Sequence, residues 1–160
     1  DVLFASDTDK TSGGQIRLHN TSYGVDIDTY GGAITLGGGD LNGSSFAKGY
    51  TSGFSEGIRL EGAIDFNSGG GNVILRGQSE NRTESSSHGM TGIGMFGANS
   101  TLNINAGSGS IFMHAVSQSK NTSGVNNDAG MFLGSFFRHT SVYIRCSNVL
   151  RTSFSDILSS

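Results

Sequence analysis

Several patterns in the chain have residue types suited to chemistry. Residues 53–57, GFSEG, have the glycine–x–serine–x–glycine form of a nucleophile elbow. That form works where a strand turns sharply into a helix and lifts the serine hydroxyl toward a base. The stretch that follows, IRLEGAIDF, alternates apolar and polar residues as a strand does. Residues 92–97, GIGMFG, match the glycine pattern of a dinucleotide site, which needs a strand before it and a helix after it. Neither flank fits. Asp26 and Asp65 occupy equivalent places in a repeat described below. Two carboxylates that close repel and raise the pKa of one, as in the acid–base pairs of glycosidases. Arg17 and Arg59, on a neighbouring run, are placed to neutralise them, and a charged surface ladder is the plainer reading. His19, His88, His114 and His139 have no metal-ligand spacing, and residues 7–10 (DTDK) and 37–40 (GGGD) are too short for a calcium loop. No catalytic, cofactor-binding or metal-binding residue is assigned, and the chain is expected not to be an enzyme.

The bulk composition points the same way. The chain has 160 residues, 26 of them glycine, with no proline or tryptophan; only 14% are charged and 34% are hydrophobic. One domain is expected from that length. Glycine, serine and asparagine between short β-branched runs predict brief strands and turns, with little helix. The net charge is −3, with no basic stripe, which argues against nucleic-acid binding. No apolar run approaches the ~18 residues of a membrane-spanning helix. The single cysteine, Cys146, excludes an internal disulfide framework. Asn-x-Ser/Thr sequons at Asn20, Asn42, Asn81, Asn99 and Asn121 are as many as a chain this rich in Ser and Thr supplies by chance. The start at Asp1, directly before VLFA, is expected of a mature or excised piece.

What must position these residues is a repeat. One strand class recurs at 33–36 (AITL), 72–75 (NVIL), 110–113 (SIFM) and 148–151 (NVLR), in steps of 39, 38 and 38. A second recurs at 16–18 (IRL), 58–60 (IRL), 93–95 (IGM) and 131–133 (MFL). A third recurs at 25–27 (VDI), 64–66 (IDF), 102–104 (LNI) and 142–144 (VYI), in steps of 39, 38 and 40. Alternation assigns inward residues to each class: Ile34/Leu36, Val73/Leu75 and Ile111/Met113; Ile16/Leu18, Ile58/Leu60, Ile93/Met95 and Met131/Leu133; Val25/Ile27, Ile64/Phe66, Leu102/Ile104 and Val142/Ile144. The predicted fold is all-β: a right-handed parallel β-helix, a three-sided solenoid of about four coils of roughly 38 residues. The coils span approximately 1–30, 31–69, 70–107 and 108–146, with 147–160 an incomplete coil or cap. Polar loops at 37–56, 76–91 and 114–129 are expected to emerge at one corner. A β-sandwich is the competing fold.

Outward residues change character along the chain. Early coils offer Arg17, Asp26, Thr35, Arg59 and Asp65; later ones offer Ile74, Phe112, Phe132 and Tyr143, with Phe136 and Phe137 nearby. An apolar outer face normally marks an interface, so Ile74, Phe112, Phe132, Phe136, Phe137 and Tyr143 are the candidate interface, to be covered by a partner, a neighbouring subunit or the chain's own loops. A solenoid without polar end caps tends to continue, and no convincing cap precedes residue 1. Stacking of subunits end to end, or an internal slice of a longer solenoid, is expected.

The coils GGAITLGGGDLNGSS (31–45), GGGNVILRGQS (69–79) and ANSTLNINAGSGSIFM (98–113) resemble the repeat region of filamentous-haemagglutinin-type adhesins, bacterial surface exoproteins often exported by two-partner secretion. The resemblance implies a right-handed β-helical shaft outside the cell that binds host or neighbouring surfaces, with no cofactor and no membrane span of its own. It carries no functional residue over. The alternatives are a phage tail-fibre or spike fragment, a polysaccharide-acting β-helix enzyme, and an ice-binding solenoid. The last would need a flat threonine ladder, which Ile74 and Phe112 interrupt after Thr35.

Overall fold

The computed structural model describes residues 1–8, 13–39, 43–49, 55–80, 91–118, 130–133 and 141–145. Ten strands lie among them: β1 Val2–Ser6, β2 Ile16–Asp28, β3 Ile34–Gly38, β4 Ala47–Lys48, β5 Ile58–Asn67, β6 Val73–Gln78, β7 Ile93–Asn105, β8 Ile111–Val116, β9 Met131–Leu133 and β10 Ser141–Arg145. No described residue is helical, in keeping with the scarcity of good helix formers. Each pairing between named strands is parallel. A sandwich of hairpins is thereby set aside, and the chain is an all-β protein of parallel strands.

Two sheets hold these strands, and the chain passes back and forth between them. The first sheet runs β1-β3-β6, with β4 and β8 also paired to β6; the second runs β2-β5-β7, with β9 and β10 both paired to β7. The register matches the repeat residue for residue. Val2, Ile34, Val73 and Ile111 stand in one column. Ile16, Ile58, Ile93 and Met131 form another. Val25, Ile64, Leu102 and Val142 form a third.

Two of the three predicted classes share a sheet, so the strands form two sheets where three were expected. The second and third classes are the two halves of the long strands β2, β5 and β7. The reason is the corner between them. In β5 only Gly62 separates Glu61, which pairs with Phe96, from Ala63, which pairs with Thr101. Gly62 and Gly97 turn there with φ of 91° and 92°, a left-handed conformation that costs glycine little. Ladder pairing resumes at once on the far side. Strand β7 needs three more residues to round the same corner. There Ser100 Oγ, buried, accepts from the Gly62 N–H at 3.0 Å and donates to the Phe96 carbonyl.

Strand lengths also exceed expectation. Residues 37–38, 76–78 and 114–116, assigned to loops from the sequence, continue β3, β6 and β8. The first polar loop leaves at Gly39 and returns to the same column at β4, where Ala47 pairs with Gly77. Its neck is a two-bond bridge between Gly38 and Ser45. The fifth-coil run at 148–151 and the tail beyond it lie outside the described residues.

One core unites the inward faces of both sheets. Twelve large side chains are fully buried: Ile34, Leu36, Ile58, Leu60, Ile64 and Phe66 from the second rung, and Val73, Leu75, Ile93, Met95, Leu102 and Ile104 from the third. Each contributes about 1.5–3 kcal/mol by leaving water. Leu18, Val25 and Ile27 in the first rung, and Ile111, Met113 and Met131 in the fourth, are only half-buried. The middle rungs are sealed from above and below, and the end rungs from one side.

The sheets meet at glycine columns. A methyl group on Gly71 would run into the Gly32 carbonyl, and one on Gly109 into the Gly71 carbonyl. At the opposite edge Gly92 accepts hydrogen bonds from the N–H groups of Gly57 and Ile58, and Gly130 accepts from those of Gly92 and Ile93. Backbone there packs on backbone, which accounts for much of the glycine content.

Urea unfolding tests this packing. Leu60→Ala is expected to lose about 2–5 kcal/mol, because rigid rungs on both sides cannot collapse into the cavity. Gly71→Ala is expected to lose about 1–3 kcal/mol through overpacking against the Gly32 backbone. Wild-type stability for either would contradict the rung packing.

Candidate functional site

The outward face of β2, β5 and β7 carries the densest polar chemistry among the described residues. Alternation that buries Leu18 and Leu60 turns Arg17, Arg59 and Glu61 to the opposite face. Glu61 stands between His19 and Phe96 in its column. Its carboxylate accepts from both arginines: Arg17 Nε at 2.8 Å and Nη2 at 2.5 Å on Oε2, Arg59 Nε at 2.9 Å and Nη2 at 2.6 Å on Oε1. Each guanidinium sets two N–H groups on a single oxygen, one arginine to each side of the carboxylate, in charge-assisted hydrogen bonds. Arg59 also donates from Nη1 to Glu56 Oε1 at 3.1 Å, and Gln15 Nε2 donates to the Glu56 carbonyl at 3.0 Å. His19 Nε2 lies 3.8 Å from Glu61 Oε2.

Aromatic rings continue the cluster. The Arg59 guanidinium lies 4.2 Å from the Phe96 ring centre, within cation–π range. Phe96 in turn packs against Phe132 with ring centres 5.7 Å apart. The face thus passes from an ion-pair network to a pair of phenyl rings within a few rungs.

This arrangement corrects the reading of the arginines. Arg17 and Arg59 neutralise Glu61 and Glu56 rather than Asp26 and Asp65. Asp26 and Asp65 do stand side by side in the ladder, with Asn103 next. Asn103 Nδ2 donates to Asp65 Oδ1 at 2.5 Å. A parallel ladder runs Asn105 to Asn67 at 3.2 Å and Asn67 to Asp28 at 3.1 Å. Amide donors thus bind Asp65 and Asp28. The signal for Glu61 was present in the sequence: one further alternating step past IRL puts it on the face of Arg59.

The outer face of the first sheet holds Ile74 and Phe112 in one column with Leu3 and Thr35. Phe112 is 50% exposed and Ile74 half-buried. The chain's own loop lies over part of this face. Arg76 Nη1 donates to the Gly43 carbonyl at 3.0 Å, and the Phe46 ring meets His114 edge-on at 4.7 Å. Arg76 also lies 5.6 Å from the Phe112 ring centre. Phe132, on β9, and Phe112, on β8, sit on different sheets. Tyr143 occupies the register position after Asn103. Phe136, Phe137, Cys146, His88 and His139 lie outside the described residues.

Of the first glycine motif, Gly53 and Phe54 lie outside the described residues; the second runs into β7. Ser55–Gly57 leads into β5, with the Ser55 carbonyl accepting from the Glu80 N–H at 3.0 Å. Residues 93–97 lie within β7, with Ile93 and Met95 buried. Among the described residues no three His, Cys, Asp or Glu side chains are grouped to hold a metal ion. No described helix is long and apolar enough to cross a membrane.

Burial alone would push the Glu61 carboxyl up; hydrogen bonds from Arg59 and Arg17, and their charges, outweigh it and hold it below the ordinary value of 4.5. The Arg17 side chain is 39% exposed, so solvent screens its share and Arg59 carries more of the effect. A lowered folded pKa contributes stability that is complete above the unfolded value and is lost as pH falls through the folded one. Urea midpoints are therefore expected to drop as pH falls below 4.5. Glu61→Gln is expected to lose about 1–3 kcal/mol at pH 7 and to flatten that acid limb. An unchanged acid limb in the variant would show that other carboxylates govern it.

No protein-family model, curated protein or solved structure matches the chain, so the chemistry of these faces rests on its own residues.

Proposed function

We propose that the chain is a structural and adhesive segment of a bacterial cell-surface protein, a right-handed β-helical shaft displayed outside the cell. The observation that carries this reading is the parallel register of the core columns, in which Ile16, Ile58, Ile93 and Met131 follow one another through four strands. A solenoid of like rungs is rigid along its axis and gains length by adding rungs. It holds side chains at a fixed spacing of ~4.8 Å on its outer faces, a geometry suited to repetitive surfaces. The resemblance of residues 31–45, 69–79 and 98–113 to haemagglutinin-type adhesin repeats supports the same reading. Its partners are neighbouring subunits, and glycans or proteins on host or neighbouring cells. Phe112, half exposed beside Arg76 and His114, is the contact residue best placed on the first sheet.

Beads coated with the chain are expected to adhere to epithelial or bacterial cells above an albumin-coated control. Phe112→Ala is expected to reduce capture about tenfold or more, the loss typical of an aromatic anchor. Capture no better than albumin on every cell type tested would overturn the adhesive role.

A further inference from the structure

The outward columns of the second sheet do not begin and end alike. One runs Asp28, Asn67, Asn105, Arg145. Its hydrogen bonds point one way, each amide donating toward the first rung and ending on the Asp28 carboxylate. The column therefore opens with an acid and closes with a base. The neighbouring column runs Asp26, Asp65, Asn103, Tyr143, opening on a carboxylate and closing on a phenol. A third runs Arg17, Arg59, Gly94, Phe132, opening on a guanidinium and closing on a phenyl ring.

The edges that carry these residues are open among the described strands. β2 has β5 as its one neighbour, and β9 and β10 each have β7. Leu18, Val25 and Ile27 on β2 are half-buried, whereas Leu60, Ile64 and Phe66 in the same columns are sealed. Met131 on β9 is likewise half-buried. Among the described strands each end thus presents the same columns, framed by unlike outer groups.

We propose that the β2 edge of one copy receives the β9–β10 edge of a second copy, head to tail and in register. This rests on the solenoid reading above and gives it a partner and a polarity. In the joint, the position of Arg145 falls one rung from Asp28, and that of Tyr143 one rung from Asp26. Phe132 falls one rung from Arg17, bringing ring and guanidinium together as Phe96 and Arg59 are within the chain. Ile16 and Leu18 fall one rung from the positions of Met131 and Leu133, continuing the ladder columns. The contact is heterologous and does not close, so assembly grows along one axis. A head-to-head joint would set two β2 strands antiparallel, so the parallel columns would not continue across it.

Sedimentation velocity of the 160-residue chain across a concentration series reads the association. Growth into open-ended oligomers is expected. Arg145→Glu is expected to weaken association about three- to tenfold, the effect of one rim ion pair turned repulsive. Asp28→Lys is expected to do the same. Combining the two changes in one chain, or mixing the two single variants in equal amounts, is expected to restore wild-type association. Asp28→Asn keeps a side-chain oxygen to accept from the Tyr30 N–H; it is expected to weaken association less, and thermal melts of all variants confirm folding. A chain that stays monomeric, one that stops at a closed dimer, or a charge swap that restores nothing would overturn the proposal. A chain that assembles but captures no cells refutes adhesion alone, and a monomer that captures cells refutes stacking alone.

Discussion

Parallel pairing in strict register is the constraint on which the rest depends. Side chains on a strand alternate between faces, so a slip of one residue would turn the Ile58–Leu60 pair to water and Arg59 to the core. With aliphatic residues at matched positions in each of four rungs, a slip breaks every column at once. The register is therefore fixed cooperatively, although each strand is short. Parallel strands also require long connections, and polar stretches of the chain supply them.

The same register organises the outer faces, with a different result. Inside, like sits on like: Ile34 on Val73, Leu60 on Met95. Outside, some columns repeat a residue, as Arg17 on Arg59 or Asp26 on Asp65, while others change chemistry, as from His19 to Glu61 to Phe96. The core columns set the spacing, and the outer columns use it to place unlike groups a strand apart. Glu61 shows the benefit. Arg17 and Arg59 occupy one column and flank its carboxylate, so a single acid answers two bases, one on each oxygen. Asn103 and Asn67 extend the same logic to Asp65 and Asp28 with neutral donors.

The columns were legible in the sequence because aliphatic residues at period two survive from one coil to the next. Val73, Leu75, Ile93 and Met95 could be placed inward from their alternation alone. The grouping into sheets could not. Whether IRL and VDI lie on one sheet or two depends on how tightly the chain turns at Gly24, Gly62 and Gly97, and a glycine in sequence does not declare its φ. Ala47–Lys48 is too short to signal a strand, and rejoins its column only because Gly57 leaves room for the Ala47 backbone. Among the polar contacts, Arg59 was assigned to the wrong acid. Asp65 is near in the repeat, but Glu61, two residues away on the same strand and face, is nearer in space.

The bridge between Gly38 and Ser45 separates two quantities that ordinary strands keep equal: the length of chain consumed and the distance climbed. Two backbone bonds pinch off the excursion, and β4 takes up the column where β3 left it. Lengthening a flexible excursion costs entropy only with the logarithm of its size. The collar can thus carry appendages of very different size and composition while the rungs above and below keep their places, making this the point on the wall where new surface can be grafted without rebuilding the column.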